Sequence, residues 1–243
     1  MKILGIDTSS KFLSIAVSED KNIIKEESYL LDRQHSSQLV PKIKELIKKS
    51  RLSIKKIDGF VVGIGPGSFT GLRIGVSTVK GFGIALGKPC IGVASIDAIA
   101  CNADSAGCNE IVPVIDAKRG QVYAAIYRKK GNQIIRISEY LLLPIDELMK
   151  TIKGSPVFLG DGVSLYKDKI ENYMNRDSAP TKVGAESGKN KRQLAFLPEK
   201  YWYPEAGHLI ELGFAKIKNM KKVNLGKLIP MYMYPEDCQV RKP

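Results

Sequence analysis

Histidine is nearly absent from this sequence of 243 residues: His35 and His208 are the only two. The four cysteines, Cys90, Cys101, Cys108 and Cys238, include no Cys-x-x-Cys pair. A structural zinc site takes four ligands at short paired spacings, so no bound metal is expected. Aromatic residues make up 7% of the chain and do not alternate with basic ones, which argues against a dedicated groove for stacking nucleic-acid bases. No apolar run approaches the length of a membrane span. The first one, Ile3-Leu4-Gly5-Ile6, meets Asp7 too soon for a secretory signal. The expected location is the cytoplasm, with reduced thiols. Acidic residues are also scarce: 25, against 38 Lys and Arg, leave a formal net charge of +13. That balance favours encounter with polyanions or anionic protein surfaces, although a lysine-rich solvated surface is the plainer reading.

What is present is 44% hydrophobic and 26% charged residues, the composition of a soluble globular protein. A chain of this length buries roughly 70–75% of its unfolded surface, enough for one large domain or two lobes. The stretch that organises it is Gly63-Ile64-Gly65-Pro66-Gly67-Ser68-Phe69-Thr70-Gly71-Leu72-Arg73. It follows the buried-strand run Gly59-Phe60-Val61-Val62 and opens a nearly uncharged segment from Leu72 to Gly87. Strand, glycine bend and helix start form a concavity of N–H groups at a positive helix end, where an anion or another stretch of backbone can approach. The Walker pattern requires a lysine after the last glycine, and Leu72-Arg73 stand there instead. The dinucleotide fingerprint requires glycine where Thr70 stands. Two readings stay open: an anion cradle, or glycines that only permit positive φ and tight strand–helix packing.

Residues 2–7 read as a buried strand, 12–17 as its hairpin partner after Asp7-Thr8-Ser9-Ser10, and 22–30 as a third strand of an antiparallel meander. Leu39, Val40, Ile43, Leu46 and Ile47 then recur at helical spacing, with Lys42, Lys44, Glu45 and Lys48 on the opposite side. Ser36 or Ser37 is expected to cap this helix, with Pro41 near its first turn. A strand at 59–64, a helix at 72–87, a short strand at 90–93 and a helix at 95–103 complete the first half. Within 72–87, Ser77, Gly81 and Ala85 share one face, while Ile74, Val79, Phe82 and Leu86 cover much of the rest. Arg73 and Lys80 are the only charges in that helix, so it is expected to be covered on more than one side. One cover is its own sheet, and the second is read as a partner protein.

Asn102 to Gly107 is a small polar connection that marks a lobe boundary. Beyond it Val112 to Asp116, the bend Ala117-Lys118-Arg119-Gly120, and Val122 to Tyr127 repeat strand, Asp-led bend and return strand. Asp116 matches Asp7, and Val122 matches Leu13, at one common offset. A third strand at about 133–140, a helix at about 145–152 and the strand and glycine bend Val157 to Gly162 follow. Two β-β-β-α-β copies with an added helix predict an α/β protein of two lobes, 1–104 and 110–243, facing one another across a cleft. The final helix, at about 204–218, is free to pack back on the first lobe. Residues 175–193 read as an exposed basic loop, and the tail from Leu228 has no readable conformation.

Paired hairpins with an aspartate at each bend are how two-lobed phosphotransferases of the actin and sugar-kinase type hold phosphates and a metal. Their first bend has glycine and threonine where Ser9 and Lys11 stand here. The candidate phosphate bends, Asp7, Thr8 and Ser9 in one copy and Asp116, Arg119 and Gly120 in the other, are thus degraded as a grip, and ATP hydrolysis by this chain alone is not expected.

Ile6-Asp7-Thr8-Ser9, the block from Gly65 to Gly75, Gly92-Val93-Ala94-Ser95 and the block from Val114 to Tyr123 resemble the TsaB (YeaZ) family. The resemblance is strong through about Tyr127 and extends to Gly160-Asp161-Gly162. It implies an actin/sugar-kinase-like (ASKHA) duplicated ribonuclease-H-like fold. It also implies a noncatalytic partner subunit in tRNA threonylcarbamoyladenosine synthesis. Such a subunit pairs with a TsaD-like catalytic paralogue that transfers threonylcarbamoyl to adenosine 37 of tRNA, using a metal held by a His-x-x-x-His pair that this chain lacks. A TsaE-like ATPase assists, and the partner subunit alone is expected as a homodimer. No cofactor of its own is implied, with ATP or ADP, if bound, at the junction with the catalytic subunit. The family associates through helices that fall here at 36–50 and 72–87. The implied interface residues are Leu39, Ile43, Leu46, Ile74, Ser77, Thr78, Gly81, Phe82 and Ala85. Gly65, Pro66, Gly67, Ser68, Gly71 and Arg73 then set the angle at which the second helix leaves the sheet, and an anion site survives there only if the other subunit completes it.

Two other readings compete: an ATP-binding kinase or ATPase of the same fold, and a metallopeptidase. Direct contact with tRNA through Lys189, Lys191 and Arg192 stays open.

Overall fold

A computed structural model describes residues 1–32, 34–103, 110–131, 133–177, 193–220 and 225–234. The chain forms two compact units, one of Met1–Ala98 together with the segment from Tyr203 onward, the other of Ile99–Trp202. The second unit therefore ends at Trp202 rather than running to the C-terminus.

The first unit begins with β1 (Lys2–Asp7), β2 (Phe12–Glu19) and β3 (Asn22–Leu30), followed by α1 (His35–Lys49), β4 (Gly59–Gly63), α2 (Phe69–Leu86), β5 (Cys90–Val93) and the start of α3 (Ser95–Cys101). The strands lie in the order β3-β2-β1-β4-β5, with β2 antiparallel to both β1 and β3, and β4 and β5 parallel to β1. Side chains alternate along a strand, so each strand can supply both faces of the sheet. Leu4, Ile6, Leu13, Ile15, Val17, Phe60 and Val62 pack with Leu39, Leu46 and Ile47 of α1 and with Val76 and Val79 of α2. Ile3, Ala16 and Val61 belong to a separate cluster on the other face.

α1 starts at His35 with Gln34 as an N-cap that makes no side-chain bond, so Ser36 and Ser37 lie inside the helix and Pro41 sits beyond its first turn. The start is held by the buried His35 ring, whose Nδ1 lies 3.0 Å from the Asp32 carbonyl oxygen. α2 starts earlier than its uncharged run suggests, at Phe69, because Ser68 Oγ accepts the Gly71 N–H at 3.2 Å. It ends at Gly87, which is left-handed at φ 63°.

The second unit contains β6 (Glu110–Lys118), β7 (Gln121–Ala124), β8 (Tyr127–Lys130), β9 (Gln133–Arg136), β10 (Leu141–Pro144), α4 (Ile145–Thr151), β11 (Pro156–Leu159), α5 (Val163–Asp177) and β12 (Ala195–Phe196). Its strand order β10-β7-β6-β11-β12 reproduces the order and strand senses of the first sheet. The return strand expected over 122–127 is broken. β7 ends at Ala124, and Ile126 bonds elsewhere, its N–H donating to Ser138 Oγ at 2.9 Å and its carbonyl accepting the Ile137 N–H at 2.8 Å. β8 and β9 therefore make a hairpin that joins the sheet through Tyr127 opposite Ile111 of β6, and the strand expected at 133–140 ends at Arg136 as β9, with β10 following only at Leu141. Asp7 faces Ser14 across its hairpin while Asp116 faces Val122, so the second hairpin is one residue tighter and Val122 is the counterpart of Ser14 rather than of Leu13. Asn175 and Arg176, expected in a loop, close α5. Residues 178–192, with Lys189, Lys191 and Arg192, lie outside the described residues.

α6 (Ala206–Lys218) belongs to the first unit and covers the free face of its sheet, where Ala206, Leu209, Ile210, Phe214 and Ile217 meet Ile3, Ala16, Val61 and Ile91. The approach is close because glycines face it: a Cβ on Gly5 would lie 2.7 Å from the Ala206 carbonyl oxygen, and one on Gly59 2.5 Å from Ile217 Cδ1. The first N–H groups of a helix have no partner within it. Here Ala206 donates to Ser14 Oγ and Gly207 to Glu26 Oε1, each at 2.9 Å. Burial pushes the Glu26 carboxyl up, and the bond from Gly207 opposes that shift. Truncating the fully buried Ile210 to alanine is expected to destabilise the protein by about 2–5 kcal/mol in urea unfolding. An unchanged midpoint would mean that α6 does not share the core of the first sheet.

Candidate functional site

β1 ends at Asp7, whose side chain is 1% exposed. Both carboxylate oxygens are engaged within the chain. Oδ1 accepts the Ser9 N–H at 2.8 Å and the Ser9 hydroxyl at 2.7 Å, and Oδ2 accepts the Ser95 hydroxyl at 2.6 Å. Ser95 Oγ in turn accepts the Gly65 N–H at 3.1 Å, which ties the bend to the glycine loop. A Cβ on Gly63 would overlap Asp7 Oδ2, so that position has room only for glycine. Burial pushes the Asp7 carboxyl up, while the bonds from Ser95 and Ser9 and the charge of nearby His35 pull it back.

The loop from Gly65 to Gly71 holds the chain's own backbone. Thr8 Oγ1 donates to the Gly71 carbonyl at 2.7 Å, and the Ser9 carbonyl accepts the Ser68 N–H at 2.7 Å. A Cβ on Gly67 would overlap the Ser9 carbonyl, one on Gly71 the Thr8 carbonyl, and one on Gly75 the Thr8 hydroxyl. Gly65 is left-handed at φ 101°, and its peptide bond to Pro66 is cis. The concavity at the start of α2 is thus filled by the Thr8-Ser9 bend, the packing reading of the two that the glycines left open.

At the second bend Lys118, Arg119 and Gly120 are all left-handed, at φ 65°, 54° and 76°. Asp116 Oδ1 accepts the Lys118 N–H at 2.8 Å, and its other oxygen pairs with the Lys118 ammonium, which is raised above the ordinary lysine range by that bond. The Asp116 N–H donates to Asp161 Oδ1 at 3.0 Å. Arg119 and Gly120 are exposed at the tip. Among the described residues, no group of three or more His, Cys, Asp or Glu side chains is placed to hold a metal, and no helix is long and apolar enough to cross a membrane.

The outer face of α2 carries Ser77, Gly81 and Ala85, all exposed, with Thr78 half-exposed beside them and Ile84 74% exposed. Nothing lies within 4 Å of a Cβ placed on Gly81. Ile74 and Phe82 are half-buried against the core. Leu39, Ile43 and Leu46 require a correction: at 1%, 3% and 0% exposure they are core residues of this chain, because the apolar stripe of α1 faces its own sheet. The outward side of α1 is instead Val40, Lys44 and Lys48, at i, i+4 and i+8. These three form the rim of a groove of about 490 Å³ whose floor is Ile43, Ile47, Leu52, Ile54 and Phe82. Ile43 borders it while staying buried. The i, i+4, i+8 spacing of Val40, Lys44 and Lys48 is the sequence signal for that side, and the apolar side chain of Val40 masks it by continuing the stripe of Leu39 and Ile43.

A further cluster had no signal in the sequence. Residues 225–234 return along α2, with Leu225 and Leu228 in the core and the Met231 N–H donating to the Ile64 carbonyl at 2.7 Å. Arg73 lies 3.7 Å over the Phe69 ring and donates from Nε to the Tyr232 hydroxyl at 3.0 Å. This fixes the entry of α2 from outside, as the Thr8-Ser9 bend fixes it from inside.

Comparison with known proteins adds to this geometry. The model of a family described as "TsaD: tRNA N6-adenosine threonylcarbamoyltransferase" matches residues 23–233. The tRNA threonylcarbamoyladenosine biosynthesis protein TsaB of Bacillus subtilis (strain 168) is 33% identical over 202 residues, 81% of this chain and 86% of that protein. YeaZ from Pseudomonas aeruginosa has a similar structure, with a TM-score of 0.74 at 22% identity over 96% of this chain and 99% of that one. An ROK hexokinase from Thermus thermophilus reaches a TM-score of 0.50 at 13% identity, over 89% of this chain and all of its own. The two like sheets are those of the actin- and sugar-kinase-like architecture.

The buried carboxyl at the first bend gives a pH test. The folded state holds the Asp7 proton more tightly than the unfolded chain, so folding takes up protons between the ordinary value of 3.8 and the raised one. The stability contributed by this group therefore falls as pH rises through that interval. The Asp7→Asn variant lacks this component. The difference in urea midpoint between wild type and variant should move against the wild type as pH rises through the window and stay level above it. A difference moving in the wild type's favour would contradict the assignment.

Proposed function

Because this chain belongs to the TsaB (YeaZ) family of tRNA threonylcarbamoyladenosine biosynthesis, we propose that it acts there as a noncatalytic partner subunit, docking a TsaD-like catalytic paralogue through the outer faces of α1 and α2. The observation that carries the reading is the pairing of an exposed small-residue stripe with an adjoining apolar groove on one face. Ser77, Gly81 and Ala85 let a partner helix approach the α2 backbone, and the groove floor offers an apolar surface for an apolar side chain. Interfaces are held chiefly by such central anchors, with polar residues at the rim. A docking helix is useful only if its position is fixed beforehand, since ordering it on binding costs affinity. The Thr8-Ser9 bend inside and the Arg73–Tyr232 bond outside supply that fixing.

The noncatalytic assignment is supported by what the two aspartates do. A phosphotransferase needs carboxylates free to hold a metal or to accept a substrate proton. Asp7 is buried with both oxygens engaged, and Asp116 holds its own Lys118. These residues do not fit a nucleotide phosphate and its metal as they stand, so any ATP or ADP would be held with the catalytic subunit. The complex would act on tRNA in the cytoplasm, with a TsaE-like ATPase as a further member.

Gly81→Leu tests the docking face with little risk to the fold, because the position is open and glycine is a poor helix former. The variant should keep the wild-type melting temperature and lose at least about tenfold in affinity for the catalytic paralogue. Undiminished copurification would overturn the reading. Titration of the isolated chain with Mg-ATP should give no heat, and binding in the micromolar range would restore a kinase-like role.

A further inference from the structure

Residues Tyr127 to Ser138, the β8–β9 hairpin and its exit, hold four cations, Arg128, Lys129, Lys130 and Arg136, and no acid. Arg128, Lys129 and Lys130 are exposed. The register sets Tyr127 opposite Arg136, Lys129 opposite Ile134 and Lys130 opposite Gln133. Successive side chains on a strand point to opposite faces, so Arg128 and Lys130 stand on one face of the ribbon, and Lys129 and Arg136 on the other. The two acids bonded to these arginines offset only part of the charge. Glu110 holds Arg128 Nη2 at 3.2 Å, but it is buried and also accepts the Gly154 N–H at 3.0 Å, which fixes it to the base of the ribbon. Glu139 reaches Arg136 at 4.0 Å from a position 94% exposed, where a pair is screened and worth little. Lys130 makes no ion pair among the described residues.

We infer that this ribbon holds the phosphate backbone of the tRNA on which the complex acts, with phosphates on either side of it. The inference rests on the function proposed above and adds a direct contact between this chain and the RNA. A protein partner calls for one face with a desolvated apolar anchor at its centre, whereas these cations divide between the two faces of a narrow ribbon. Ile135 and Ile137 are exposed beside them, an apolar pair too small to anchor such an interface. Phosphates suit the arrangement better, because the major groove of an A-form stem is deep and narrow and is walled by two phosphate rows. Base stacking has no place here. Tyr127 is buried, and the Arg136 guanidinium covers one face of the Tyr140 ring at 4.0 Å. The contact is therefore electrostatic, of the kind that positions a nucleic acid without reading its sequence.

The test uses the full chain assembled with its catalytic paralogue. K129E/K130E should fold as wild type by circular dichroism and copurify with the paralogue undiminished, while the complex loses at least about tenfold in tRNA affinity at low salt. In the milder K129Q/K130Q the slope of log affinity against log salt should shrink by about 1 for each phosphate contact removed. tRNAs of different sequence should lose affinity alike. Wild-type affinity and slope in both variants, while Gly81→Leu still loses the paralogue, would overturn this inference and leave the docking reading standing. Loss of the paralogue by K129E/K130E would make the ribbon a protein-facing surface and also overturn it. Aggregation of both variants with tRNA binding intact would do the same, by making the lysines guards of a strand edge. A wild-type complex that does not bind tRNA would remove the proposed function together with the inference.

Discussion

The first unit is organised around the seating of a hairpin bend in a glycine loop. Thr8 and Ser9 occupy the space that Gly67, Gly71 and Gly75 leave open, and the Asp7 carboxylate gathers Ser9, Ser95 and, through Ser95, Gly65. A buried carboxylate is tolerated only when its oxygens are satisfied, so these donors and the missing side chain of Gly63 are one requirement. Together they join the end of β1, the end of β4, the start of α2 and the start of α3. The direction in which α2 leaves the sheet follows from them. The same positive helix end that could hold a phosphate instead holds a piece of its own chain.

That substitution connects the fold to its role. A loop filled by its own hairpin gives up an anion site and gains a rigid mount for the helix that follows it. The far side of that helix is then free to stay bare: small at Ser77, Gly81 and Ala85, apolar at Ile84, with a groove beside it. α6 closes the opposite face of the sheet, where Gly5 and Gly59 admit it. With one face closed by α6 and the other by α1 and α2, the outside of the α1–α2 pair keeps Val40 and Ile84 exposed beside its groove.

Much of this was legible in the sequence. The β-β-β-α-β pattern and its repeat follow from strand alternation and from Asp7 and Asp116, and the structure returns two sheets that share one five-strand order, the second enlarged by β8 and β9. The glycine loop could be located but not interpreted, since a sequence does not say whether a cavity will take a ligand or a neighbouring loop. The stripe of α1 was found correctly as apolar. Its assignment to an interface failed because Leu39 and Leu46 meet the chain's own sheet, and periodicity alone cannot say which apolar face looks inward. The break at Ile126 rests on its bonds to Ser138 Oγ and to the Ile137 N–H, local events with no periodic signature. The same holds for the strap at 225–234, whose place depends on contacts with residues far away in the chain, such as Arg73.

The central claim is that the outer faces of α1 and α2 receive the catalytic paralogue. Amide hydrogen exchange of the full chain, alone and with that paralogue, tests it most directly. The account predicts slowed exchange concentrated in residues 35–56 and 69–87, with the hairpin tip at 118–121 unchanged. Slowing concentrated at that tip, or none in either helix, would contradict it.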